Sequence, residues 1–175
     1  MGGVEMVKIT KASETDAQLI SQLADEIWRE HYDGILKQEV IDYVLGNFQT
    51  EQNIADQISR QELTYFLMHL NDEVVGYSGI EIKDDELFLS KLYLKQKFRG
   101  LGIAKETLSF IEENYLNDKK KSISLYVSNN NEKSIEAYKK MGFEIQEEVE
   151  RDLGQGFVGY DYFMKKEVGK NSIDK

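Results

Sequence analysis

The stretch from Glu86 to Tyr115 constrains this chain most. Glu86-Leu-Phe-Leu-Ser-Lys-Leu-Tyr-Leu94 places apolar residues on both alternating faces, the pattern of a strand covered on two sides. Lys95 to Arg99 breaks the run with charge. Gly100 and Gly102 follow, and Leu101, Ala104, Leu108 and Ile111 then recur at helical spacing. The order is strand, glycine turn, helix. The first turn of such a helix has free backbone N–H groups at the positive end of the helix dipole, which suits a phosphate or pyrophosphate. Glycine has no Cβ, so an anion can approach the backbone closely.

Two anion-binding patterns do not fit. A P-loop needs Gly-x-x-x-x-Gly-Lys-Ser/Thr, which is absent. The dinucleotide pattern Gly-x-Gly-x-x-Gly fails because Gly100-x-Gly102 is followed by Lys105, and past mid-chain. A second constellation lies downstream. Ile123 to Val127 reads as a short strand, followed by Ser128-Asn-Asn-Asn131, then Ser134, Tyr138 and Gly142-Phe143. Arg99-x-x-Gly102-x-Ala104 and this strand–Asn–Ser–Tyr–Gly-Phe series, in this order, resemble the two signatures of the GNAT superfamily of N-acetyltransferases. Leu89-Ser-Lys-Leu-Tyr-Leu94 and Gly154-Gln-Gly-Phe-Val-Gly-Tyr-Asp-Tyr-Phe-Met164 look like the corresponding segments of its PaiA-like polyamine acetyltransferases.

Composition narrows the chemistry. The 175 residues contain no cysteine, which excludes a disulfide, a thiolate zinc site and a cysteine nucleophile. The two histidines, His31 and His69, are far apart, so no dedicated metal site is expected. The formal net charge of −10 argues against nucleic acid as a partner and favours a cationic one, although surface solubility is the commoner reason for such a charge. No apolar run approaches a membrane span, the first residues have no secretory apolar region, and Met1-Gly2-Gly3-Val4-Glu5 matches a myristoylation signal poorly. The expected location is the cytoplasm.

Along the chain, Val4 to Thr10 reads as a strand. Ser13 with Asp16 reads as a helix cap before the stripe Leu19, Ile20, Leu23, Ala24, Ile27 and Trp28. Further helices are expected over Ile35 to Leu45, stopping at Gly46-Asn47, and over Thr50 to Arg60. Leu63 to Leu70 and Val74 to Ile82 form a hairpin about Asn71-Asp72-Glu73. Phe143 to Val149 and Phe157 to Lys165 are the last strands. The sum is one α/β (α+β) domain over residues 1–168, with 169–175 a frayed tail. The resemblance implies the GNAT fold, a central mixed, mostly antiparallel sheet of about seven strands flanked by helices.

What the resemblance implies about function follows. The chain would transfer acetyl from acetyl-CoA directly to a primary amine, releasing CoA. Cofactor contacts fall on Leu92, Tyr93, Leu94, Lys97, Arg99, Gly100, Leu101, Gly102, Ile103, Ala104 and Lys105, and on Asn131, Ser134 and Tyr138. The main chain of Leu92 and Leu94 would pair with the pantetheine arm. Lys97 and Arg99 add phosphate charge or are simply solvated, and Asn131 touches cofactor or caps its helix. Tyr138 is the expected proton donor to the departing sulfur, with ordinary core packing the alternative. Trp28, His31, Tyr32 and Glu81 are the acceptor candidates, Trp28 and Tyr32 also fitting a core stripe. No residue is fixed as the base: Glu81, Glu86, Glu26, Glu30, His31 and a water chain stay open. The acidic clusters Asp84-Asp85-Glu86 and Glu147-Glu148 either ring a polyamine site or solvate loops. The expected acceptor is a small amine or polyamine, on a monomer or homodimer. A protein N-terminal or lysine acetyltransferase and a silent acetyl-CoA-binding regulatory module are the alternatives.

Overall fold

This computed structural model describes residues 7–168. The expected tail at 169–175 and the first residues of the Val4 to Thr10 strand lie outside the described residues. In chain order come β1 (Val7–Lys11), a 3-10 turn (Glu14–Asp16), α1 (Ala17–His31), α2 (Gln38–Phe48), α3 (Glu51–Ser59), β2 (Thr64–Leu70) and β3 (Glu73–Ile82). Then follow β4 (Leu87–Leu94), a 3-10 turn (Gln96–Phe98), α4 (Ile103–Tyr115), β5 (Ser122–Ser128), α5 (Glu132–Lys140), β6 (Glu144–Gly154) and β7 (Phe157–Glu167). The strands form one seven-stranded sheet in the order β1-β2-β3-β4-β5-β7-β6. Only β4 and β5 run parallel; every other neighbouring pair is antiparallel.

Local chemistry explains the elements. Ser13 N–H donates to Asp16 Oδ2 at 2.9 Å in a capping box, and α1 then buries Ile20, Leu23, Ala24 and Ile27 along one face. Each of the isoleucine and leucine side chains, fully buried, contributes roughly 1.5–3 kcal/mol. Thr50 caps α3 by accepting from Asn53 N–H. Asn71 and Asp72 adopt φ of 51° and 71°, the left-handed pair that a two-residue hairpin turn requires. Alternation along β2 sends Tyr65 and Leu67 into the core with α1–α3, and Phe66 into the core with α4 and α5. Helices therefore cover both faces of the sheet.

Three sequence expectations are corrected. Helix α2 starts later than Ile35 and runs through Gly46 to Phe48. Gly46 has no left-handed backbone there, and the chain instead turns at buried Gln49, whose carbonyl accepts from Ser21 Oγ at 3.0 Å. Strand β6 continues past Val149 to Gly154 because its ladder with β7 extends to the turn at Gly154, Gln155 and Gly156, all at positive φ. Leu101 is 53% exposed and precedes α4, whose buried stripe is Ile103, Thr107, Leu108 and Ile111. Thr107 fits the core because its hydroxyl donates to the Ile103 carbonyl at 2.8 Å.

The feature that positions the site is the parallel pair. β4 and β5 are joined at only Leu87↔Ile123 and Phe88↔Ser124 and then part. Between β3 and β4 the register steps from Gly79↔Lys91 to Ile80↔Leu89, so Ser90 is the extra residue of a bulge. The β5-facing backbone groups of β4 from Leu89 to Leu94 have no strand partner.

Candidate active site

A cavity of about 890 Å³ opens at this parting. Its walls come from α1, α2, β4, β5, α5 and the β6–β7 hairpin. Trp28 and His31 of α1, Tyr32 just after it, and Tyr93 of β4 form an aromatic cluster. Ring centroids lie 4.5 Å apart for Trp28–Tyr32, 5.8 Å for Trp28–Tyr93 and 4.7 Å for His31–Tyr32. The hydroxyls of Tyr32 and Tyr93 are 3.2 Å apart. Burial pushes both phenols well above their usual range, so both hold their protons. The Trp28 Nε1–H meets no acceptor in hydrogen-bond geometry among the described residues, although it lies near enough to the Tyr77 hydroxyl to favour that phenol's ionised form slightly.

Asn131 is both a cap and a bridge. Its Oδ1 accepts from Ser134 N–H at 3.3 Å, which fixes the amide orientation at the start of α5. Its Nδ2 then donates to His31 Nε2 at 2.7 Å, so the His31 proton sits on Nδ1. Burial, helped by the nearby Arg99 charge, lowers the His31 pKa to about 4. His31 is neutral at physiological pH, and its one basic lone pair is held by Asn131.

Tyr138 lies two turns along α5 and lines the same cavity, with Phe143 edge-on at 5.5 Å. Its hydroxyl makes no hydrogen bond with the described residues. Burial raises its pKa to about 12, so it stays protonated.

The glycine turn lies outside this cavity. Gly100 and Gly102 have φ of +78° and +83°, and a Cβ added at either would meet nothing within 4 Å. The first helical bond is Glu106 N–H to Gly102 C=O at 3.0 Å, so the N–H groups of Ile103, Ala104 and Lys105 have no helical partner. Arg99 turns back, its Nε donating to the Leu94 carbonyl at 3.2 Å, while Nη2 is buried without a partner among the described residues. Open space over the glycines, free amides and an unpartnered guanidinium nitrogen fit a pyrophosphate group. Lys97 and Lys105 are exposed beside the turn. Leu94 is buried against Ile103 on the other side of β4.

Several expectations dissolve. Glu81 is exposed near the end of β3 and does not line the cavity; neighbouring Ile82, on the opposite face, is exposed too, so no helix covers the sheet there. Glu86 is bound to Lys165 and accepts from Ser124 Oγ at 3.3 Å. Asp84, Asp85, Glu147 and Glu148 are exposed and outside the cavity, which leaves them to solvent. Sequence reasoning missed the cavity's Ser90, Lys91, Tyr126, Arg151 and Asp161. Arg151 Nη1 donates to Asp161 Oδ2 at 3.1 Å and its guanidinium lies 4.5 Å over the Tyr126 ring. Two adjacent polar residues, Ser90-Lys91, inside an otherwise apolar strand were the signal that could have pointed there.

The sequence pattern of the Acetyltransferase (GNAT) family matches residues 20–143. A spermidine N(1)-acetyltransferase of Thermoplasma acidophilum is 26% identical over 148 residues, 81% of this chain and 90% of that protein. The fold superposes on the PaiA N-acetyltransferase of Thermoplasma acidophilum in complex with coenzyme A, with a TM-score of 0.80 and 22% identity over 93% of this chain and 99% of that one. It also superposes on the ribosomal-protein-S18-alanine N-acetyltransferase of Escherichia coli, with a TM-score of 0.69 and 14% identity over 95% and 98% of the two chains.

Proposed function

The chain belongs to the acetyltransferase (GNAT) family and is an N-acetyltransferase that uses acetyl-CoA, and on that premise we propose that its acceptor is a small primary amine, a polyamine fitting best. The observation that carries the acceptor reading is the Asp161 carboxylate. It is 16% exposed on the wall of an aromatic cavity, close enough to Tyr32 and Tyr93 to raise both phenols further. Although it shares its charge with Arg151, a carboxylate in such a site attracts an ammonium better than an equally paired surface acid does, because solvent screens it less. The similarity to a spermidine N(1)-acetyltransferase supports the same reading.

Acetyl-CoA supplies the acetyl thioester. The free amides of the α4 turn and the buried Arg99 Nη2 are suited to its pyrophosphate, and the unpaired β4 backbone to its pantetheine arm and carbonyl. The Tyr138 hydroxyl keeps a proton at neutral pH with no competing acceptor, which suits it to protonate a departing sulfur.

Lys91 and Arg151 share the cavity wall with Asp161, and this favours a second reading in which the acceptor also bears a carboxylate, as a peptide does. One panel separates the two: CoA release with spermidine, spermine, free amino acids and peptides. Turnover of the polyamines with the highest kcat/KM supports the first reading; turnover confined to peptides replaces it with the second.

A further inference from the structure

We infer that Ser90 and Lys91, at the β4 bulge, are the pair that takes the proton from the acceptor amine. The inference rests on the N-acetyltransferase reaction and not on the choice of polyamine.

An acceptor amine arrives protonated and must lose a proton before it can attack. The structure commits the obvious bases elsewhere. Glu26 is paired with Lys95, Glu30 accepts from Gln96 N–H at 3.2 Å, and Glu86 is bound to Lys165. Glu81 is exposed outside the cavity, and the basic nitrogen of His31 is held by Asn131. Asp161 is bound to Arg151.

Ser90 and Lys91 sit at the bulge, within the stretch Phe88 to Tyr93 that forms the β4 wall of the cavity. Lys91 Nζ lies 3.2 Å from Ser90 Oγ. The side chain crosses β3 at Gly79, where a Cβ would lie 3.7 Å from its Cδ, and reaches 5.9 Å from the centroid of the Tyr65 ring on β2. Tyr65 is neutral, its phenol donating to Gln57 at 2.6 Å and held protonated by burial. The charged groups elsewhere on the cavity wall are Lys37 and Glu39 at the start of α2, Arg151 and Asp152 of β6, and Asp161 of β7. Lys91 forms an ion pair with none of the described carboxylates. A half-buried lysine without a counter-ion favours its neutral form, and its partial desolvation lowers this one to about 8.

The transfer balances simply. The acceptor N–H bond breaks and its proton passes to Ser90 Oγ as the Ser90 hydroxyl proton passes to the Lys91 Nζ lone pair. The amine becomes neutral, Ser90 is unchanged, and Lys91 gains the charge. An alkylammonium near pKa 10.4 gives up its proton at a disadvantage of roughly two orders of magnitude, which attack on the thioester then draws forward. With no carboxylate to hold it, the proton on Lys91 is readily lost to water.

Three variants of the full chain test this: Lys91→Arg, Lys91→Met and Ser90→Ala. Wild-type kcat/KM for spermidine, or for whichever panel amine is turned over, should rise with pH to a plateau above about 8. Lys91→Arg cannot deprotonate; it should lose roughly 10²-fold or more and shed that limb, with unchanged acetyl-CoA affinity. A merely structural cation would be rescued by arginine. Ser90→Ala should lose activity less and keep the limb. In the free protein, NMR of labelled lysine side chains should show one amine titrating near 8 that is missing in Lys91→Met. Lysine titration only near 10, or an active Lys91→Arg variant with an unchanged pH profile, overturns the inference. Rejection of spermidine bears on the acceptor reading alone, since the lysine titration needs no acceptor.

Discussion

The glycine turn and the aromatic cavity, to which we assign the cofactor and the acceptor, are built in opposite ways. The turn from Arg99 to Ala104 works through backbone: two glycines at positive φ, free amides and open space above them. The cavity works through side chains gathered from α1, β4, β5, α5, β6 and β7. Backbone chemistry demands glycine at fixed spacing, so it leaves a local motif. Side-chain chemistry converges from distant segments, so its residues are scattered singly. On the proposed reading the turn would hold a group shared across many enzymes, and the cavity would be where individual enzymes differ.

The largest effect is expected at Tyr138, on the α5 wall of the cavity. Tyr138→Phe keeps the ring against Phe143 and removes only the hydroxyl. We expect kcat to fall by roughly 10²–10⁴-fold, with acetyl-CoA affinity and melting temperature nearly unchanged. Steady-state kinetics beside calorimetry checks this, and wild-type turnover would take Tyr138 out of the mechanism.

Gly102→Val attacks the backbone side. Valine is strained at φ +83°, yet its Cβ meets no protein atom, so the fold should survive while its branches fill the anion's approach. Acetyl-CoA affinity should drop by roughly tenfold or more by titration calorimetry. Unchanged affinity in a folded valine variant would sink the pyrophosphate assignment.

Asp161→Asn attacks the side-chain end. It should raise KM for spermidine by about tenfold, leave acetyl-CoA binding alone, and flatten the dependence of KM on ionic strength. A KM that stays put would remove Asp161 from acceptor recognition.

The smallest effect tests His31. Its folded pKa of about 4 lies below the ordinary 6.5, so the unfolded chain binds the proton more readily. The stability linked to His31 is complete above pH 6.5 and is lost as pH falls toward 4. Urea midpoints at pH 7 and pH 5 should separate more in wild type than in His31→Gln. Equal separation would mean that His31 protonates freely in the folded protein.

The architecture was legible because its signals are local. The Ser13–Asp16 box, the Asn71-Asp72 turn and the stripe of α1 each lie within one element. The boundary errors share a cause: Gly46 reads as a stop, but tertiary contacts at Gln49 decide where α2 ends. In the site, Asn131, Ser134 and Tyr138 share a helix and could be read together, and Trp28, His31 and Tyr32 share another. Glu81 misled because a strand's sequence does not show where its helical cover ends. The Arg151–Asp161 pair spans two strands whose register nothing local announces.

The short junction between β4 and β5 has a mechanical side. Strands β1–β4 and β5–β7 meet through two residue pairs in a sheet whose other seams are longer. Pulled across its strands, the sheet should yield there first, as a zipper does at the end where few teeth engage. Along β4 from Leu89 to Leu94, amides turned toward β3 are locked in a ladder while those turned toward β5 are not. Deuterium uptake should therefore alternate along a single strand, and a molecule that laid its own amide bonds in the gap would stitch the two halves into one.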